Sequence, residues 1–125
     1  MQNFSAKLKG ETLVARSYKL SLRVINLMDC LPNKKSAQII ANQLIRAATS
    51  IGANQVEARA SSSRLEFKKF FEIALKSANE CKYWLCLLKD AKLASEREVE
   101  DLLKEVEELS NMLAKSVVTL KSKKF

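Results

Sequence analysis

The chain has 125 residues, a net charge of +8 and no histidine; 47% of it is hydrophobic and 29% charged. That balance fits one globular domain and excludes a disordered chain. Two glycines and one proline are too few turn formers for an all-β fold, so an all-α fold of long helices is expected.

Other classes fall away on the same grounds. No apolar run reaches the ~18 residues needed to span a bilayer. The start, MQNFSAKLKG, lacks the apolar stretch of a signal peptide, so a cytoplasmic protein with no membrane partner is expected. Cys30, Cys81 and Cys86 are an odd number without paired spacing, and read as reduced, mostly buried thiols. The charge is uneven. Residues 1–95 carry 16 Lys/Arg against 7 Asp/Glu, residues 96–108 carry 2 against 7, and residues 109–125 carry 4 against none. A basic surplus favours polyanionic partners.

The first helical segment spans about 11–31. Leu13, Leu20, Val24, Leu27 and Leu31 line one seam, and Val14, Tyr18, Ile25 and Met28 its neighbour, which together make a wide apolar face. Pro32 stops it, and Asn33 is placed to cap the next helix. The second segment spans about 34–60, on a seam of Ala37, Ile40, Leu44, Ala47 and Ile51 that continues through Asn54 to Ala58. Gly52 inside it costs ~1 kcal/mol against alanine, which a bend or a close helix approach would explain.

Ser61, Ser62 and Ser63 break the pattern, and Ser63 with Glu66 forms a capping box that starts the third segment, about 64–92. That segment has two regular seams. One is Phe67, Phe71, Ala74, Ala78, Cys81, Leu85 and Leu88; the other is Phe70, Ile73, Ser77, Glu80, Trp84, Leu87 and Ala91. Two adjacent seams imply a central helix, or a helix whose second seam meets another chain. Ser95 and Glu98 form a second capping box, with Ala94 and Val99 placed for a staple. It opens the fourth segment, about 96–121. The acidic start and basic end of that segment suit the helix dipole, and the tail 121–125 is expected to fray. Four helices with short connections predict an up-down-up-down bundle with antiparallel neighbours.

Few residues point to chemistry. No Gly-rich phosphate loop or nucleophile motif is present. Cys81 and Cys86 are five apart and share a helix face poorly, so zinc is not expected. No cofactor is implied. Glu57 and Glu80 invite a reading as an acid–base pair, but structural interior acids fit better, and no enzymatic activity is expected.

A polar line is more informative. Arg46, Ser50, Asn54 and Glu57 share a face of the second segment, and Lys76, Ser77 and Glu80 sit together on the third. One structural network is expected, in which Arg46 and Lys76 balance Glu57 and Glu80 and Asn54 bridges. Buried charge is tolerated only when paired, and such groups can fix register. On the first segment, Arg16, Lys19 and Arg23 form a basic stripe opposite the leucines, which Lys7, Lys9, Lys34 and Lys35 could extend. This is the candidate phosphate-contacting surface. No aromatics interleave with it, so base stacking is not expected.

The stretch Arg46-Ala47-Ala48-Thr49-Ser50-Ile51-x-x-Asn54-x-x-Glu57, then Glu66-Phe67, Ile73-Ala74-Leu75-x-Ser77-Ala78-x-Glu80 and Trp84-Leu85, resembles the 23S ribosomal RNA intervening-sequence proteins, also called S23 ribosomal proteins. Ala58 stands where many members carry glycine. The resemblance implies an antiparallel four-helix bundle assembled as a ring-like homopentamer, with Phe70, Ile73, Trp84 and Leu87 as the candidate interface. A structurally similar pentamer is the accessory protein of diversity-generating retroelements, which works with a reverse transcriptase and binds nucleic acid. Two functions follow as expectations. One is a non-enzymatic oligomer that binds RNA or DNA through phosphates. The other is a scaffold that docks a protein partner such as a reverse transcriptase.

Overall fold

The computed structural model describes Gly10 and residues 12–121. Four helices follow in order: α1 Leu13–Asp29, α2 Lys35–Arg59, α3 Arg64–Asp90 and α4 Glu96–Lys121. There is no strand among the described residues.

Local chemistry sets the ends. Thr12 caps α1, its Oγ1 accepting from the Ala15 amide at 3.2 Å. The expected start at residue 11 lies outside the described residues, as does the tail 122–125. α1 stops at Asp29, ahead of the predicted residue 31, because the residue before Pro32 is driven out of the helical region. The cap expected of Asn33 is not made. Its Oδ1 accepts from Gln38 Nε2 at 2.7 Å, and α2 starts at Lys35 with no side-chain cap. At α3, Ser63 Oγ accepts from the Glu66 amide, while the Glu66 carboxylate reaches back to the Ser62 amide, both at 3.1 Å. α3 closes with Lys92 at φ 59°. The Lys92 amide donates to the Lys89 carbonyl and the Leu93 amide to the Leu88 carbonyl. This is a Schellman ending with lysine where glycine is favoured.

Each helix packs on two neighbours: α1 on α2, α2 on α3, α3 on α4, and α4 back on α1, with no diagonal contact among the described residues. Side chains pair in opposite order along each seam between consecutive helices. Ser17 meets Gln55 where Ser21 meets Ala48. Arg46 meets Glu80 where Ser50 meets Ser77. Lys82 meets Glu107 where Lys89 meets Glu100. Consecutive helices therefore run antiparallel. α3 is not central, as one reading of its two seams required. It has two neighbours like every other helix, and its second seam looks toward α2 and outward.

The core holds Leu20, Val24, Leu44, Ile51, Leu85, Leu88, Val106, Leu109 and Leu113, all 0–1% exposed. α2 and α3 make the most extensive contact. Both helices bury small residues, Ala37, Ala41, Ala47 and Ala48 on α2 and Ala74 and Ala78 on α3, and small residues at a contact let two axes approach closely.

Candidate functional site

The basic stripe does not survive as a single surface. Arg16 is turned into the α1–α4 seam, its side chain only 17% exposed. Its Nη2 donates to Glu105 at 2.7 Å and to Glu108 at 3.0 Å, and its Nε to Glu105 at 3.1 Å. The bonds to Glu105 and then Glu108 hold this guanidinium above its ordinary range. Arg23 is exposed but shares a shallow groove with Glu98 and Asp101 of α4. Lys19 is exposed, and its ammonium contacts the Gly10 carbonyl at 3.3 Å. Lys34 and Lys35 stand exposed at the start of α2. At 1.5 Å per helical residue they lie about 27 Å from Arg16 along the bundle. Lys7 and Lys9 lie outside the described residues.

The sequence held the signal for this. Glu98, Asp101, Glu105 and Glu108 repeat on α4 at the same three- and four-residue spacing as Arg16, Lys19 and Arg23. The two complementary stripes lie on neighbouring helices, where Arg16 pairs with Glu105 and Glu108 and Arg23 shares a groove with Glu98 and Asp101. The acidic run of α4 thus does more than complement the helix dipole. On its other side, Lys82 meets Glu107 at 2.7 Å, Lys89 meets Glu100 at 3.0 Å, and Lys121 meets Glu72 at 3.7 Å.

The polar line on α2 and α3 divides into two clusters. In one, Arg46 binds the Glu80 carboxylate, which also accepts from Trp84 Nε1 at 2.9 Å. In the other, Ser77 Oγ donates to Ser50 Oγ at 2.9 Å, and Asn54 Nδ2 donates to the Ser50 carbonyl and hydroxyl, each at 2.8 Å. Asn54 therefore folds back on its own helix and bridges no charges. Glu57 and Lys76 are exposed and enter neither cluster. The predicted single network, with four balanced charges, is corrected to one ion pair and one hydroxyl–amide chain. Glu57 and Glu80 are not a pair.

The largest of the polar side chains buried in the core is Gln55, which sequence reasoning missed. It is 2% exposed, and its amide donates to the hydroxyl of fully buried Ser17 at 2.8 Å. Ser17 in turn donates to the Leu13 carbonyl at 2.8 Å. Alanines lie on two parallel lines of α2, so steps of three and four from Ala37 reach either Asn54 or Gln55. The line through Ala41, Ala48 and Gln55 is equally regular. Among the described residues no buried side-chain polar atom lacks a partner, as stability requires.

Nothing in the described residues assembles a reaction centre. No three His, Cys, Asp or Glu side chains are grouped to hold a metal. Cys81 is buried, and that burial, with Glu80 adding and Arg46 opposing, pushes its thiol up to about 12. Cys30 and Cys86 are exposed rather than buried.

What the structure does bring together is apolar surface around α2. Of the exposed large hydrophobics Leu22, Ile39, Val56, Leu65, Ile73, Tyr83 and Val118, only Val118 lies on α4. On the α1–α2 face an open groove of about 630 Å³ runs between Tyr18, Leu22 and Ile25 on one side and Thr49, Ala53 and Val56 on the other. Gly52 forms its floor. A Cβ there would stand 3.5 Å from Ser17 Cβ, so Gly52 marks a close helix approach that would still admit alanine. On the α2–α3 face, Ile73 and Leu87 flank Glu80 at seven-residue spacing. Ile73 is 40% exposed, and Phe70, Trp84 and Leu87 are half-buried.

Comparison with known proteins agrees with this architecture. The family model described as 23S rRNA-intervening sequence protein matches residues 11–115. A similar solved structure is the 1.70 Å crystal structure of a protein with unknown function from the S23 ribosomal protein family of Bacteroides thetaiotaomicron VPI-5482. It is 32% identical, covers 85% of this chain and 98% of its own, and superposes with a TM-score of 0.79. No curated protein matches the chain. No helix among the described residues is long and apolar enough to cross a membrane.

Proposed function

Because this chain belongs to the 23S rRNA-intervening sequence protein family, we propose that it is a non-enzymatic, ring-forming bundle that binds nucleic acid through phosphate contacts. The observation that carries the reading is how the acids are used. Glu72, Glu80, Glu100, Glu105, Glu107 and Glu108 are all spent on ion pairs between helices. Those six acids pair with only five cations, Arg16, Arg46, Lys82, Lys89 and Lys121, so the other Lys and Arg of the described helices carry the basic surplus, and such cations displace counterions condensed on a polyanion.

Two apolar faces support the ring. Both flank α2 and they do not overlap, so a groove on one copy that receives the α2–α3 face of the next makes a head-to-tail contact. Such contacts close into rings when the rotation allows. Adjacent faces of a square bundle point about 90° apart. Closure needs about 90° for four copies and about 108° for five, against about 60° for three. A pentamer of this chain, as the sequence resemblance implies, needs the two faces opened by about 18° beyond the square arrangement. Phe70, Ile73, Trp84 and Leu87 would supply one side of the contact, and Tyr18, Leu22 and Val56 the other. A ring also multiplies weak phosphate contacts into useful avidity.

The test is a shift assay with a labelled RNA hairpin and a DNA duplex over graded salt. The reading predicts binding to at least one probe, and an affinity that falls steeply with salt and varies little with sequence. Failure to bind either at 50 mM salt, with a defined protein captured after nuclease treatment, would replace it with the scaffold reading.

A further inference from the structure

Halving the bundle across its long axis separates its charges. One half comprises residues 12–20, 48–76 and 109–121; it holds nine Lys/Arg and three Asp/Glu. The other comprises 21–47 and 77–108; it holds nine Lys/Arg and ten Asp/Glu. The described bundle is therefore +6 on one side of the cut and −1 on the other, with Arg16 of the basic side neutralised across the cut by Glu105 and Glu108. Helix dipoles do not create this. Two N-termini and two C-termini meet at each end of an antiparallel bundle, and their partial charges oppose one another. The polarity comes from side chains alone, and it is set by where the acidic run of α4 begins.

The basic end also has a shape. Arg59 closes α2 and Arg64 opens α3, and between them the serine turn frames a groove of about 420 Å³ floored by Phe67 and Leu120. The Glu66 amide at the start of α3 is already engaged by Ser63, and the Ser62 amide of the turn by the Glu66 carboxylate, so the cationic side chains are the main attraction for an anion there. Arg59 and Lys69 are exposed, and neither takes part in the ion pairs that bind α4 to its neighbours.

We infer that the phosphodiester backbone of a nucleic acid docks on this end of the bundle, around the α2–α3 turn, and not along the flank of α1. The inference rests on the nucleic-acid reading above and gives it a location. Cyclic symmetry strengthens it. Every copy in a ring presents its like end to the same side, so the basic ends gather on one face of the ring and the near-neutral ends on the other. A backbone laid across that face meets several copies at once.

The experiment compares two sets of charge reversals of equal size in the full-length chain. One is Arg59→Glu with Arg64→Glu and Lys69→Glu. The other is Lys34→Glu with Lys35→Glu and Lys92→Glu, at the opposite end. Helical circular dichroism and light-scattering mass confirm fold and assembly for both, and Arg59→Gln with Lys69→Gln serves if the triple reversal fails to fold. The probes are a labelled RNA hairpin and a DNA duplex of matching sequence, which also separates the two sources of phosphodiester. Reversal at the basic end should weaken binding on the order of 100-fold at moderate salt and flatten the salt dependence. Reversal at the other end should change affinity by less than about threefold. Equal losses in both sets, or loss only in the second, would overturn the location while leaving nucleic-acid binding intact. No binding by the unmodified protein would overturn both.

Discussion

The faces that α4 makes with its neighbours differ in kind from the faces that α2 makes. α4 is bordered on both sides by ion pairs, from Arg16 with Glu105 and Glu108 on α1 to Lys82 with Glu107 and Lys89 with Glu100 on α3. α2 is bordered by buried alanines, a buried Gln55–Ser17 bond and one partly exposed ion pair, Arg46 with Glu80. Outside those seams, α4 carries one exposed large hydrophobic residue while the other three helices carry six. The α4 side has the chemistry of a surface that faces water. The α2 side has the chemistry of one that meets protein.

The largest effect should come from the α2–α3 contact. Ala47→Leu places a branched side chain where the backbones approach, and overpacking of this kind costs about 1–3 kcal/mol. A denaturant midpoint that drops with unchanged slope would confirm it; an unchanged midpoint would mean the alanines do not set a close approach. Next, Gln55→Ala deprives the Ser17 hydroxyl of its donor and opens a small cavity, for a loss of about 1–3 kcal/mol. The Gln55→Leu, Ser17→Ala pair should recover much of that, which a double-mutant cycle would read directly.

The α4 side should respond more weakly and differently. Arg16→Met removes a partly exposed pair and should cost about 1 kcal/mol or less, with the deficit shrinking as salt screens the wild-type pair. A deficit independent of salt would contradict the electrostatic account of that seam. Cys81 sharpens the same contrast through pH. Its thiol stays neutral in the fold to about 12 but ionises from 9.0 when unfolded. The unfolded chain therefore loses its proton first, and stability falls as pH rises from about 9 to about 12. Cys81→Ala should flatten that alkaline decline. The smallest expected effect is a gain. Lys92→Gly relieves a left-handed lysine and should add up to about 1 kcal/mol.

Much of the fold was legible because helices announce themselves. The seams of α1, α3 and α4, the capping boxes and Pro32 each state a local rule, and the element boundaries moved by only one or two residues. α2 was harder. Its alanines satisfy two helical registers at once, so the sequence placed Asn54 in the core where the structure places Gln55. The candidate site was read less well, because partner choice is not local. Arg16 and Glu105 are 89 residues apart, and only the bundle shows that their stripes face each other. Charge on the ends of the bundle is equally invisible along the chain. Residues of one end arrive from three separate stretches of sequence.

The account turns on the claim that the α2 side meets protein. Light-scattering mass at micromolar concentration tests it most directly, on the unmodified chain and on Val56→Glu with Ile73→Glu. The account predicts a discrete closed assembly near five times the 14.1 kDa protomer, and a folded 14.1 kDa species for the double variant. An unmodified chain that stays monomeric at that concentration, or a double variant that still assembles, would contradict it.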